Sequence, residues 1–127
     1  MSHVSHSIRT HACGDLRATH TGEHVTLAGW VHRRRDHGGL IFIDVRDRSG
    51  LVQCTFSPDD AEAFALAERV RPEWVVLIEG TVAARPAGTE NSEMPTGQVE
   101  VVVSAITVLN TAETPPFEVD AVGTRAV

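Results

Sequence analysis

From His24 the apolar and polar positions alternate with a period of two. Val25, Leu27, Gly29 and Val31 fall on one side and Thr26, Ala28, Trp30 and His32 on the other. Successive strand residues point to opposite faces, so this period predicts a half-buried strand over residues 24–35. Asp36-His37-Gly38-Gly39 interrupts it. The pattern resumes over 40–47, where Ile41, Ile43 and Val45 share one face and Leu40, Phe42, Asp44 and Arg46 the other. Arg48-Ser49-Gly50 has hairpin-turn chemistry. Beyond it, Val52, Cys54 and Phe56 oppose Leu51, Gln53 and Thr55 in a third strand over 51–56.

The period then changes. Ser57-Pro58-Asp59-Asp60 offers a stop and a helix cap, and Ala63, Phe64, Ala67 and Val70 recur at helical spacing, which predicts one helix over 61–70. Two further β-branched runs, 74–85 and 98–109, flank a Pro/Gly/Thr/Asn loop over 86–97. Three strands, a helix and two strands is the order of an all-β, five-stranded Greek-key barrel of the OB type, with its helix between strands three and four. Small α+β domains share that order. The expected division is an N-terminal leader over 1–23 with a short helical turn near Gly14–Ala18, a barrel over 24–110, and a linker or tail over 111–127.

Charge narrows the search for a site. The net charge of −6 argues against whole-surface attraction to polyanions or anionic membranes. Its distribution is uneven: up to Pro58 the chain has seven arginines against five carboxylates, and five of those arginines lie between Arg33 and Arg48. Any anion-binding surface is expected there. Cys13 and Cys54 lack Cys-x-x-Cys spacing, so reduced thiols are expected rather than a disulfide framework or a zinc site. The seven histidines, all before residue 38, show no ligand-like spacing, and no metal site is expected. Residues 1–10 have no apolar signal core, and no apolar run is longer than the five residues of Trp74–Ile78. A cytoplasmic protein without a membrane span is expected.

The face opposite Ile41, Ile43 and Val45 is the natural place for recognition. An aromatic ring there, Phe42, is a platform for a stacked base, worth about 1–3 kcal/mol. Gln53 offers a donor and an acceptor to a base edge. Arg33, Arg34 and Arg35 can send alternate side chains to flank Phe42 and meet phosphates or base edges. The competing expectations are that Phe42 packs beneath the 86–97 loop, that Gln53 is ordinary surface, and that the arginines pair with Asp36, Asp44 and Asp47. Arg46 and Asp47 read as strand anchors. No Gly-x-Ser-x-Gly, phosphate-cradling loop or Ser/His/Asp arrangement appears.

Several runs carry a family resemblance: Val25-Thr26-Leu27-Ala28-Gly29-Trp30-Val31-His32-Arg33-Arg34-Arg35-Asp36, Leu40-Ile41-Phe42-Ile43-Asp44-Val45-Arg46-Asp47-Arg48 and Gly50-Leu51-Val52-Gln53. They closely resemble the N-terminal anticodon-binding domain of bacterial aspartyl-tRNA synthetases. The likeness extends over about residues 8–120, through Met94-x-Thr96-Gly97-x-Val99-Glu100-Val101 to Pro115-Pro116-Phe117 at the start of that family's linker. The resemblance implies that Phe42 stacks on the central anticodon uracil, that Gln53 hydrogen-bonds an anticodon base, that Glu100 reads an outer base, and that Arg35 and Arg85 line the groove. It also implies a parent ligase, a homodimer, whose ATP and Mg²⁺ sites lie in a catalytic domain beyond this chain, so the chain alone is expected neither to activate aspartate nor to hold a cofactor. His37 and Gly88 resemble the type that charges asparagine tRNA as well as aspartate tRNA, where enzymes restricted to aspartate tRNA tend to carry leucine at the position of His37. Two other readings of the fold stay open: a general single-strand nucleic-acid binder, although DNA is not the expected partner, and a protein-interaction or dimerisation domain.

Overall fold

A computed structural model describes residues 9–110. β1 (His24–His37), β2 (Leu40–Asp47) and β3 (Gly50–Phe56) are followed by the helix α1 (Ala61–Ala67) and by β4 (Val75–Ala84) and β5 (Val99–Asn110). The strands close into a barrel in the order β1-β2-β3-β5-β4, completed by pairing of β4 with β1. Every pair is antiparallel except β3 with β5. This is the expected five-stranded OB barrel with its single helix between strands three and four.

β1 does two jobs. Its first half pairs with β4 from His24 to Trp30, and its second half with β2 from Trp30 to His37, with a shift of register between Val31 and Arg33. Such an irregularity bends a strand, which lets one strand serve both sides of a small barrel. The loop before β4 pins the bend: Val31 N–H donates to Trp74 O at 2.8 Å, and Glu73 N–H to Val31 O at 2.7 Å. Glu73 is the one described non-glycine residue with positive φ, 77°.

The alternation read from the sequence is the division between core and surface. Ile41, Ile43 and Val45 are buried inside the barrel, while Leu40, Phe42 and Asp44 are half-buried on its outside. Gly29 lies where β1 meets the backbone of β2, since a Cβ there would stand 2.4 Å from Arg46 O. Gly38 and Gly39 form a two-residue hairpin with φ of 62° and 83°, the left-handed pair that glycine adopts without strain. β3 departs from simple alternation. Its outward residues Gln53 and Thr55 are buried as well as its inward ones.

The helix is shorter than its apolar pattern. It ends at Ala67, although Val70 stays buried, and Asp60 makes no side-chain cap. The last carbonyls are capped from outside the helix: Arg34 Nη1 donates to Glu68 O at 2.6 Å and to Ala67 O at 3.3 Å. A cation over the carbonyl end of a helix satisfies groups that have no partner of their own.

Residues 9–23, read from sequence as leader, lie against the barrel, with Cys13 and Leu16 fully buried. Two short 3-10 turns, Cys13–Asp15 and Ala18–His20, shape this stretch. Asp47 Oδ2 accepts from the Cys13 amide at 2.9 Å, and Ser49 Oγ from the Gly14 amide at 2.7 Å. Two buried side chains in a polar stretch carry no period, so nothing in the pattern announces this packing. The tail expected over 111–127 lies outside the described residues.

Candidate nucleic-acid interface

The outer faces of β1, β2 and β3, the edge of β5 and the 86–97 loop enclose a groove of about 430 Å³. Arg35, His37, Phe42, Gln53, Thr55, Arg85 and Glu100 line it together with Asp36, Leu40, Pro86 and Thr89. Its floor follows from register: Arg35 is opposite Phe42, Phe42 opposite Thr55, and Asp44 opposite Gln53. A period of two therefore puts these side chains on one face.

Phe42 is half-buried, with the Arg35 guanidinium carbon 5.7 Å from its ring centroid. A cation over one side of a ring strengthens both as a planar platform. Arg35 Nη2 also donates to Asp44 Oδ1 and to Gln53 Oε1, each at 3.1 Å. Gln53 Nε2 donates to Glu100 Oε1 at 3.3 Å, and Thr55 Oγ1 donates to the same oxygen at 2.5 Å. Gln53 is 6% and Glu100 8% exposed, so neither is ordinary surface. The Arg35 Nε is buried and has no hydrogen-bond partner among the described residues. An orphaned buried donor costs about 1–3 kcal/mol, which marks this arginine as incompletely satisfied.

Arg85 closes the groove from the β4 side. Its Nε donates to Val99 O at 3.1 Å, and its Nη1 to Thr89 O at 3.3 Å, so it braces the loop while facing the groove. Burial pushes its pKa down, while Asp44 and Glu100 pull it back up against a further lowering from Arg35. His37 forms the rim where β1 ends, in register with Leu40. Its backbone is not left-handed.

The remaining sequence candidates are placed elsewhere. Arg34 turns to the opposite side of β1, where its guanidinium caps α1 and its Nε lies 3.4 Å from Asp36. It is not a groove residue, because adjacent strand residues cannot share a face. Arg33 is exposed and on the face of Phe42 by register, opposite Asp44, but outside the groove lining. Gly88 is in the loop at φ 90° with open space around it, flanked by the lining residue Thr89. Thr55 and Asp44 are the residues that sequence reasoning passed over, although the same alternation that selects Phe42 and Gln53 selects them too.

Two other features lie apart from this groove. A larger depression of about 580 Å³ is bounded by Arg34, Arg69, Arg71 and Trp74 beside the end of α1. Separately, folding brings His11, His20 and Glu23 together, a grouping that their spacing hides, with His11 Nε2 3.3 Å from Glu23 Oε1. The Arg17 amide donates to His20 Nδ1 at 2.9 Å. A neutral His20 therefore carries its proton on Nε2 and offers that nitrogen as a donor rather than as a ligand.

Residues 25–109 match the tRNA anti-codon family, described as an OB-fold nucleic acid binding domain. An aspartate–tRNA(Asp/Asn) ligase of Rubrobacter xylanophilus is 62% identical over 112 residues, covering 88% of this chain and 19% of that protein. The chain thus spans about a fifth of the length of the curated relatives it matches. The asparaginyl-tRNA synthetase of Pyrococcus horikoshii complexed with asparaginyl-adenylate superimposes with a TM-score of 0.71 at 31% identity, over 85% of this chain and 24% of that one. OBody AM3L09, bound to hen egg-white lysozyme, superimposes with a TM-score of 0.70 at 27% identity, over 82% of this chain and 97% of that one. The match spans all five strands and every groove residue named above, and the chain belongs to the tRNA anti-codon family of OB-fold nucleic acid binding domains.

Proposed function

We propose that the chain binds the anticodon loop of aspartate tRNA in the β1–β3 groove and serves as the anticodon-reading arm of an aspartate–tRNA ligase. The observation that carries this is the pairing of a half-exposed ring, Phe42, with an adjoining ladder of donors and acceptors from Arg35, Gln53 and Glu100. A ring holds any base by stacking, whereas the ladder distinguishes one base edge from another. The name of the 62% identical relative supports aspartate tRNA as the partner and asparagine tRNA as a second one. His37, at the rim of the groove, is the position proposed to discriminate between them.

Adenylate formation, with ATP and Mg²⁺, is assigned in this proposal to the rest of such a ligase. Glu100 in the groove and Asp44 beside it are already engaged by Arg35, Gln53 and Thr55, and Asp36 at the groove margin by Arg34. The parent is proposed to be a cytoplasmic homodimer, for which the exposed Trp30, Val102 and Leu109 supply apolar surface away from the groove. Among the described residues no helix is long and apolar enough to cross a membrane.

The test is binding of the chain to aspartate tRNA beside the same tRNA with its central anticodon base replaced, at one salt concentration because phosphate contacts make affinity salt-dependent. The expected loss on replacement is at least tenfold. Equal binding of the two removes the anticodon reading.

A further inference from the structure

The polar side chains of the groove form one continuous chain of hydrogen bonds drawn from four strands. Thr55 and Gln53 of β3 donate to Glu100 of β5, and Arg35 of β1 donates to Gln53 and to Asp44 of β2. The two kinds of charged group set its direction, because a carboxylate accepts only and a guanidinium donates only. Gln53 is the single member that could be turned end for end. Between Arg35 and Glu100 its amide has one satisfactory orientation, with oxygen toward the guanidinium and nitrogen toward the carboxylate. The reversed amide would set oxygen against oxygen and N–H against N–H.

We infer that Thr55 and Asp44 are positioning residues for base recognition, which hold Glu100 and Arg35 so that Gln53 presents one fixed pattern of donor and acceptor beside the Phe42 ring. Thr55 is 7% exposed and its hydroxyl is spent on Glu100 Oε1, so it acts through Glu100 rather than on a ligand. Fixing that oxygen leaves Glu100 Oε2, the second N–H of Gln53 and Arg35 Nη1 to meet a base edge. An amide free to turn would offer donor or acceptor alike and would discriminate less between edges that differ in those groups. The inference rests on the anticodon reading proposed above and extends it to the residues that make the reading selective.

The experiment uses the whole chain and four RNA hairpins: the aspartate anticodon stem-loop, and three versions that each replace one anticodon base. Binding is measured for the unaltered protein, Thr55→Val, Thr55→Ser and Asp44→Ala, with melting temperatures recorded alongside. Thr55→Val keeps shape and burial while deleting the O–H. It is expected to lower at least one discrimination ratio tenfold, equivalent to about 1.4 kcal/mol, whereas Thr55→Ser, which restores the donor, keeps all ratios within about threefold of the unaltered protein. Asp44→Ala is expected to lower a ratio about threefold, and it decides the matter if Thr55→Val does not fold. Should the unaltered protein discriminate while the folded variants keep every ratio within twofold, the positioning role is wrong and the anticodon reading stands. If the unaltered protein binds all four hairpins equally, the anticodon reading itself falls and takes this inference with it.

Discussion

The barrel holds two polar clusters built around carboxylates, and they are held in opposite ways. Asp47, at the end of β2, accepts from the amides of Cys13 and Ser49 at 2.9 and 2.8 Å and from the Ser49 hydroxyl at 2.5 Å. Glu100, in the groove, is held by the side chains of Thr55 and Gln53. Backbone donors are fixed once the chain is folded, so Asp47 can only tie elements together: it joins the β2–β3 turn to the segment before β1. Side-chain donors and acceptors have capacity beyond the bonds they already make, so the Glu100 cluster can keep its internal bonds and still offer groups to a ligand. Ordinary values are perturbed accordingly at the first cluster. Burial would raise the Asp47 pKa, yet the bonds from Ser49 and Cys13 outweigh it and hold the carboxyl below its usual range. The neighbouring Cys13 thiol is pushed up by burial and then by Asp47.

If that contrast is right, damage at Asp47 is read in stability and damage in the groove is read in binding. The largest effect is expected from Asp47→Ala. Removing a charged acceptor of three hydrogen bonds costs about 3 kcal/mol of stability, measured as a lower urea midpoint, with hairpin discrimination unchanged in the folded protein. The same cluster sets a pH dependence. A carboxyl depressed in the folded state binds more protons when unfolded, so its contribution is present above the ordinary value of 3.8 and fades as pH falls below it. Asp47→Asn should flatten that acid limb in a urea-against-pH series.

Phe42→Ala is expected to weaken anticodon-loop binding by about 1–3 kcal/mol, the usual loss of one stacked base. Its melting temperature should change by only a few degrees, because the ring is half-buried on the outside of the barrel. A collapse in melting temperature would move Phe42 from the recognition surface to the core.

Adjacent arginines sharpen the comparison further. Arg34→Ala removes the cap on α1 and is expected to cost about 1 kcal/mol of stability, leaving RNA affinity within twofold. Arg35→Ala should do the reverse, lowering affinity and reducing its salt dependence where the contact is to phosphate. Equal effects of the two on RNA would show that the groove extends over both faces of β1.

The smallest effect is expected at the rim. His37→Leu should shift preference toward aspartate over asparagine tRNA by about 1 kcal/mol, within the range of a single base contact by analogy with base-edge readout in DNA. The check is charging of both tRNAs by the domain joined to a catalytic partner. A hundredfold rejection of asparagine tRNA by the unaltered protein, about 2.7 kcal/mol at 1.36 per tenfold, would end the relaxed-specificity reading.

The order of elements, the inward face of the first three strands and the outward direction of Phe42 are legible in the amino-acid sequence, because side-chain direction in a strand repeats every two residues and depends only on neighbours along the chain. The hairpin at Gly38–Gly39 is legible for the same local reason. Three matters were decided by tertiary structure. Arg34 points away from the groove by the period of two, but that it meets the end of α1 there, far along the chain, depends on the closed fold. Gln53 became buried because Glu100 arrives from β5 through the parallel pairing of β3 with β5, which no period within β3 can reveal. Residues 9–23 joined the barrel through two side chains and the carboxylate of Asp47, a long-range contact without any repeat to betray it. Local periodicity thus determines which way each strand residue points. What it meets there depends on segments brought together only by closure of the barrel.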